Sequence, residues 1–182
     1  MNFLKSIFSS IIDIVKIAVV ALVLAITVRY FLIQPFFVEG ASMEPNFETG
    51  QYLLIDEISY NFKSVSRGEV VVFHYPLDTS KYYIKRIIGL PGETIEVKNG
   101  KVIIYNSENS DGVVLAEDYL PQNLTTGGQI KKKLGADEYY VLGDNRPLSS
   151  DSRIWGTLPK NDIVGRVWVR VWPINKMAIF NY

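Results

Sequence analysis

Apolar residues are distributed in two different ways along this chain. Residues 17–28 form one continuous apolar run that is interrupted only by Thr27. Lys16 and Arg29 bound the run, and their long aliphatic stems can carry the charges back to a membrane surface. Extended to residues 11–33, the segment would be roughly 34 Å long as a helix, which is enough to cross a bilayer core of roughly 30 Å. The pattern favours a single transmembrane helix over residues 11–33.

A cleaved signal peptide and a buried core helix are the alternatives for this segment. A signal peptide requires a small-x-small cleavage site soon after the apolar run, but residues 29–33 are bulky. A buried helix does not need cations at both ends. Lys5, Lys16 and the amino terminus favour an N-terminus in the cytoplasm. We therefore expect residues 1–33 to be a membrane anchor and residues 34–182 to be an extracytoplasmic domain.

Beyond Pro35 the apolar residues come in short runs. The runs are rich in β-branched and aromatic residues, and turn signals such as Lys98-Asn99-Gly100 separate them. Helical periodicity is poor in this part of the chain. The pattern predicts a mainly β catalytic domain over residues 34–182, built as an antiparallel sandwich or a partly open barrel. Strands are predicted at residues 36–38, 51–55, 69–73, 82–88, 94–97, 102–105, 138–142 and 164–172.

One stretch interrupts the strand pattern. Residues 106–133 are polar and rich in turn residues, which predicts an inserted loop or hairpin rather than core, within a region of about 98–137. The three lysines at 131–133 are interpreted as a solvated face, with contact to anionic lipid as the alternative.

Composition excludes several classes of function. Lys and Arg together number 19, as do Asp and Glu, so no basic excess indicates nucleic-acid binding. The chain has no Cys and a single His, His74, which excludes thiolate nucleophiles and zinc sites built from several histidines. We therefore predict no metal and no cofactor.

Ser42 is a candidate nucleophile. It lies in the Gly-Ala-Ser-Met-Glu-Pro segment at residues 40–45, where small residues allow close backbone approach and Pro45 constrains the exit of the turn. Such a turn can expose a hydroxyl next to backbone N–H groups. Serines in loops of this composition are usually plain turn residues, so the segment by itself leaves both interpretations open.

Lys85 is a candidate base for such a serine. It lies in the predicted strand 82–88, which has apolar residues on both faces around the cation. A buried lysine can respond by losing its proton, and lowering its pKa from about 10.4 to about 8 takes roughly 3 kcal/mol of differential solvation. The alternative is an edge-strand lysine that is paired with a carboxylate.

The other serine-enzyme patterns are missing. Position 44 is Glu, so the G-x-S-x-G pattern is absent, and no serine has a lysine three positions later. His74 lies at a strand end beside Pro76 and is interpreted as a structural residue, although a Ser/His/Asp hydrolase that uses it is one alternative. The loop at residues 143–153 concentrates two Asp, two Arg and three Ser after a strand, which suits either a hydrogen-bonded scaffold for a site or a solvated turn.

Together and in this order, these segments closely resemble bacterial type I signal peptidases of the short kind found in Gram-positive bacteria. The resemblance implies a membrane-bound serine endopeptidase with a Ser/Lys dyad that removes signal peptides from exported preproteins after Ala-x-Ala-like sites. It implies a single-pass protein at the outer surface of the lipid bilayer, next to the secretion translocon, without a cofactor. The segments that carry it are the apolar N-terminus and residues 40–45, 67–73, 83–93 and 143–153.

The resemblance also implies roles for individual residues. Ser42 matches the nucleophile and Lys85 the general base. The Ser42 backbone N–H would supply one oxyanion donor, but Gly40 stands where some relatives carry a serine as the second. Asn46 stands where the family usually has Thr, and we expect this change to be tolerated. The remaining matches are Ser149 as the hydroxyl that orients the lysine, the ion pairs Asp144 with Arg86 and Asp151 with Arg153, and the pocket walls Phe36, Val38, Met43, Tyr83 and Ile84.

Two further alternatives remain from other classes. The self-cleaving Ser/Lys repressors of the DNA-damage response share the fold class, but they are soluble, and the apolar segment 11–33 argues against them. A membrane-tethered binding module or a catalytically silent paralogue would not need both Ser42 and Lys85.

Overall fold

The computed structural model describes residues 11–23 and 33–182. Residues 11–23 form a helix, α1, in which every residue is exposed. Within the described residues, no helix combines the length and the apolar character needed to cross a membrane. The predicted span over 11–33 also includes residues 24–32, which lie outside the described part of the chain.

The rest of the described chain is mainly antiparallel β structure, as predicted. The larger sheet has the order β1-β2-β11-β3-β4-β9-β10, with β12 added beside β11, and the smaller sheet has the order β7-β6-β5-β8. A short helix, α2, covers Ser152–Trp155. The strands are β1 Ile33–Phe37, β2 Tyr52–Asp56, β3 Val70–Tyr75, β4 Asp78–Gly89, β5 Thr94–Lys98, β6 Lys101–Tyr105, β7 Val113–Val114, β8 Ile130–Lys133, β9 Glu138–Leu142, β10 Leu158–Pro159, β11 Ile163–Trp172 and β12 Ala178–Ile179.

The middle of the larger sheet is covered on both faces. On β3, Val70 and Val72 belong to one buried apolar cluster, whereas Val71 and Phe73 belong to another. Successive side chains of a strand point to opposite faces, so the two clusters lie on the two sides of the sheet. Strand β4 pairs directly with β3 and its residues 85–89 are buried. Residues 85–89 of β4 are therefore buried on both faces, whereas Tyr82, at the start of the predicted strand, is exposed.

The smaller sheet corrects the prediction for residues 106–133. This region contributes β7 and β8, and its Thr126 is only 1% exposed. Strand β8 was missed because it holds one apolar residue followed by three lysines, and only its pairing with β5 defines it. Its lysines are exposed, as predicted, because β8 is an edge strand of the four-stranded sheet. The apolar residues Ile95, Val97, Val102 and Ile104 of this sheet form one buried cluster with Ile88, Tyr140 and Leu142 of the larger sheet and with Leu134.

Candidate active site

The turn that carries Ser42 follows β1 and is held by the loop after β9. Asn145 donates its backbone N–H to the Ser42 carbonyl at 3.1 Å and its Nδ2 to the Ala41 carbonyl at 3.0 Å. Gly40 has φ of +95°, a conformation that glycine adopts at little cost. The Ser42 N–H donates no hydrogen bond within the described part of the chain, which leaves it free for an incoming oxygen.

Lys85 lies beside this serine. Its Nζ is 2.7 Å from Ser42 Oγ and 2.8 Å from the Ile84 carbonyl oxygen, and the residue is only 3% exposed. Burial lowers the pKa of the Lys85 amine to about 8, against the opposing effect of the Asp151 and Asp144 charges. A fraction of the amine is therefore neutral at mildly basic pH and can accept a proton from the hydroxyl.

Arg86, the next residue on β4, meets a carboxylate. Arg86 pairs with Leu142 in the sheet, so the loop that leaves β9 at residue 143 starts beside it. Arg86 Nε and Nη2 donate to the two oxygens of Asp144 at 2.8 and 2.5 Å. Both side chains are buried, at 8% and 0% exposure. The predicted Arg86–Asp144 ion pair is present in this geometry.

Asp151 organises the second half of the loop. Its carboxylate accepts from Arg153 Nε and Nη2, both at 2.8 Å, and from the Gly143 N–H at 3.1 Å. It also caps the N-terminus of α2 by accepting from the Arg153 backbone N–H. The second predicted ion pair is therefore present as well, and it links the two ends of the 143–153 loop.

Ser149 differs from the expectation. Its Oγ is buried but has no hydrogen-bond partner in the described chain, so no bond to Lys85 orients the amine. It is nevertheless close to the turn, because a Cβ at Gly143 would lie 2.2 Å from Ser149 Oγ and 2.4 Å from the Ser42 carbonyl oxygen. Position 143 must therefore be glycine for the loop to pack against the serine turn.

An open cleft of about 530 Å³ lies against Ser42 and Lys85. Four of the five predicted pocket residues line it, but Met43 does not. Met43 is 1% exposed, packs in the core with Phe47, and receives the Asp144 N–H at its Sδ, 3.4 Å away. The turn directs this side chain inward, which corrects its assignment to the pocket wall. The cleft residues predicted and found are Phe36, Val38, Tyr83 and Ile84, and those that the sequence did not indicate include Phe37, Leu53, Val72, Tyr82 and Leu148.

Gly40 and His74 do not complete the site. The Gly40 N–H donates to Thr49 Oγ1 at 3.0 Å, so this backbone group is already used. His74 Nδ1 lies 2.8 Å from the Thr79 carbonyl oxygen, the ring packs on Tyr82 at 4.6 Å, and the residue does not line the cleft.

Two asparagines were missed as parts of the site. Asn145 clamps the serine turn, and Asn46 Nδ2 donates to Asp144 Oδ2 at 2.8 Å. An asparagine after Asp144 in a loop is an ordinary turn residue by sequence, so only the contacts reveal its use. Asn46 had been noted as a departure from the family pattern, which was the one available signal.

The comparisons with known proteins agree on one family. Residues 11–172 match the family of signal peptidases, peptidase S26. Signal peptidase I from Leptolyngbya laminosa is 37% identical over 174 residues, 90% of this chain and 81% of that protein. Signal peptidase IB from Staphylococcus aureus (strain Mu50) is 32% identical over 174 residues, 90% of each chain. A crystal structure of a signal peptidase I from Enterococcus faecalis has 30% identity and a TM-score of 0.48, covering 58% of this chain and 97% of that one. The match over residues 11–172 and the relatives at 37% and 32% identity show that the chain belongs to the signal peptidase family, peptidase S26, and is a peptidase.

Proposed function

We propose that this chain is a signal peptidase I that hydrolyses peptide bonds with a Ser42/Lys85 dyad. The observation that carries the proposal is the contact between Lys85 Nζ and Ser42 Oγ at 2.7 Å, in a lysine that is only 3% exposed. A buried amine of lowered pKa beside a hydroxyl is the arrangement that activates a serine without histidine.

The proposed reaction has two halves. Neutral Lys85 Nζ takes the proton of Ser42 Oγ as the oxygen attacks the scissile carbonyl carbon, and the Ser42 N–H stabilises the oxyanion. The same proton passes to the leaving amine, the C–N bond breaks, and an acyl-enzyme remains. Lys85 then deprotonates a water that attacks the ester carbonyl, which releases the signal peptide and restores the Ser42 hydroxyl.

The cleft supports the proposed preference for small-x-small sites. Phe36, Val38, Tyr83 and Ile84 line the cleft with apolar side chains, together with the two dyad residues. Bulky walls leave room for small substrate side chains and exclude large ones. We propose exported preproteins with Ala-x-Ala-like cleavage sites as the substrates.

The proposal includes a membrane anchor in residues 1–33 and an extracytoplasmic domain in residues 34–182. Helix α1 exposes large apolar side chains, for example Ile14 at 66%, Ile17 at 70% and Leu22 at 60%. Exposed apolar surface of this extent on a helix favours an apolar environment over water. The catalytic domain would then meet preproteins at the outer membrane surface, close to the secretion translocon.

Cleavage of a purified precursor by the full chain in detergent tests the dyad. Ser42→Ala and Lys85→Ala should each lower kcat/KM at least about 1000-fold, because the nucleophile or its base is lost. His74→Ala is the matched control and should stay within about twofold. If Lys85→Ala cleaves normally, or if His74→Ala is inactive, the dyad assignment is wrong.

A further inference from the structure

A segment of the inserted region, residues 117–127, makes polar contacts with the loop at residues 143–153, the catalytic loop. Arg146, which follows Asn145 in that loop, is 2% exposed. Its guanidinium donates to both oxygens of Glu117, to Thr126 Oγ1 and, at 3.4 Å, to the Tyr119 hydroxyl. Arg146 Nε also donates to the Gly143 carbonyl at 3.0 Å. A buried guanidinium thus joins this segment to the loop that carries Asp144.

Tyr119 extends these contacts to the ion pair beside the proposed base. The Arg86 guanidinium lies over the Tyr119 ring, 4.0 Å from its centroid. The Tyr119 hydroxyl donates to Glu117 at 2.7 Å, which ties the ring to the Arg146 site. One tyrosine therefore contacts both buried arginines of this region.

Asn46 connects Tyr119 with the serine turn. Its Nδ2 donates to the Tyr119 carbonyl at 2.9 Å and to Asp144 Oδ2 at 2.8 Å. Asn46 lies four residues after Ser42, and Asp144 lies two residues before Arg146. The amide therefore bridges the serine turn, the catalytic loop and the inserted segment.

We propose that residues 117–127, together with Asn46, form a brace that positions Ser42 against Lys85. Glu117, Tyr119 and Asn46 are its positioning residues. The inference rests on the proposed Ser42/Lys85 function. Ser42 is linked to the brace through Asn46 and Asn145. Lys85 is linked to it through its neighbour on the strand, Arg86. Catalysis is sensitive to displacements of this kind, since a shift of about 1 Å in the reacting groups can cost about 100-fold in rate. Within the described chain, the hydrogen bonds and the cation–π contact of Glu117, Tyr119 and Asn46 go to none of the residues that line the cleft, so substrate binding should be little affected.

The smaller sheet supplies a matched control for this test. Tyr105 donates its hydroxyl to Glu96 at 2.5 Å and lies under Lys131 Nζ, 4.3 Å from the ring centroid. A tyrosine, a carboxylate and a cation are therefore in contact here, as they are among Tyr119, Glu117 and the arginines. Within the described chain, none of the three forms a hydrogen bond, ion pair or ring contact with the catalytic loop.

The test compares Tyr119→Leu with Tyr105→Leu in cleavage of a purified precursor, at a temperature well below the unfolding midpoint of both. Tyr119→Leu should lower kcat about 10- to 100-fold and leave KM within twofold. Tyr119→Phe, which keeps the ring under Arg86, should recover most of the loss. Tyr105→Leu should keep kcat within twofold of the unchanged chain. If Tyr119→Leu fails to fold, Asn46→Ala carries the same prediction, because it removes only the amide bridge.

The brace is overturned if Tyr119→Leu, or Asn46→Ala in its place, keeps full kcat. It is also overturned if the kcat of Tyr105→Leu falls as far as that of Tyr119→Leu. Ser42→Ala and Lys85→Ala in the same assay separate this outcome from failure of the proposed function. Inactive dyad variants beside fully active brace variants reject the brace alone, whereas active dyad variants reject the function itself.

Discussion

Lys85 and Arg86 are neighbours on one strand, both are cationic and both are buried, but their surroundings differ. Arg86 faces Asp144 and is neutralised by two hydrogen bonds. Lys85 has no ion pair within the described residues and lies instead against the Ser42 hydroxyl. Because strand residues alternate between faces, Arg86 is directed toward Asp144 and its neighbour Lys85 toward Ser42. A guanidinium keeps its proton in proteins, whereas a buried lysine amine without a carboxylate partner can lose its proton, so Lys85 is the one of the two that can act as a base.

The pKa values follow from the same difference. Burial opposes the charge on Arg86, but the hydrogen bonds and the charge of Asp144 raise its pKa above the ordinary value. Burial lowers the pKa of Lys85 to about 8, and the carboxylates of Asp151 and Asp144 oppose this shift only in part. Asp144 therefore stabilises charge on one side of the strand while the other side remains able to deprotonate.

Removing the carboxylate from the Arg86 side should have the largest effect on stability. Asp144→Ala leaves a buried guanidinium without its partner, which typically costs about 3–5 kcal/mol. Glu48→Ala is the control, because the Glu48–Lys176 pair is 43% and 44% exposed and such pairs contribute less than about 1 kcal/mol. Denaturant unfolding of both variants measures the difference. Equal losses would mean that the buried pair contributes no more than a surface pair.

Removing the cation at Lys85 should increase the stability of the folded state, whereas removing the carboxylate at Asp144 should decrease it. The folded pKa of about 8 lies below the ordinary 10.5, so the unfolded chain binds more protons between these values and stability rises with pH across that window. At pH 7 the protonated amine costs the folded state roughly 3 kcal/mol. Lys85→Met should therefore raise the free energy of unfolding by roughly 1–3 kcal/mol at pH 7, less the lost contact with Ser42.

The gain from Lys85→Met should largely disappear near pH 10.5, where the amine is neutral in the folded state and about half neutral in the unfolded state. Denaturant unfolding at the two pH values gives the comparison. If Lys85→Met is less stable than the unchanged chain at pH 7, the charge on the buried amine does not destabilise the folded state.

The smallest expected effect is the change in cleavage rate for each pH unit. Below a pKa of about 8 the Lys85 amine becomes protonated, so kcat/KM should fall roughly tenfold for each pH unit. The midpoint should be unchanged in His74→Ala, because that imidazole does not line the cleft. Cleavage rates from pH 6 to pH 10 measure it. A midpoint near 6.5, the ordinary histidine value, would assign the base to His74 instead.

The strands could be predicted because their signals are local, and the β-branched runs gave all eight predicted strands. The residue patterns made Ser42 and Lys85 candidates but left alternatives open, and the resemblance to a known family assigned their roles. Strand β8 was not predictable in this way, since its three lysines carry no apolar alternation and pairing with β5 alone defines it. Met43 was misplaced for a related reason. Its side chain direction depends on the turn geometry around Ser42 rather than on a repeating pattern.

Residue patterns alone were enough to infer a mainly β chain, a serine in a small-residue turn, a lysine on an apolar strand and a charged loop after another strand. Which of these come into contact depends on the folded chain. Ser42 and Lys85 are 43 residues apart, Arg86 and Asp144 are 58 apart, and Asn46 and Asp144 are 98 apart. Alternation along a strand fixes which side chains share a face, but the loop that covers each face depends on strand order and register in the whole sheet. For this reason the residue patterns did not indicate the contacts of Arg86 with Asp144 and of Lys85 with Ser42, which only the family resemblance had implied. The 117–127 brace was indicated by neither and became visible only in the folded chain.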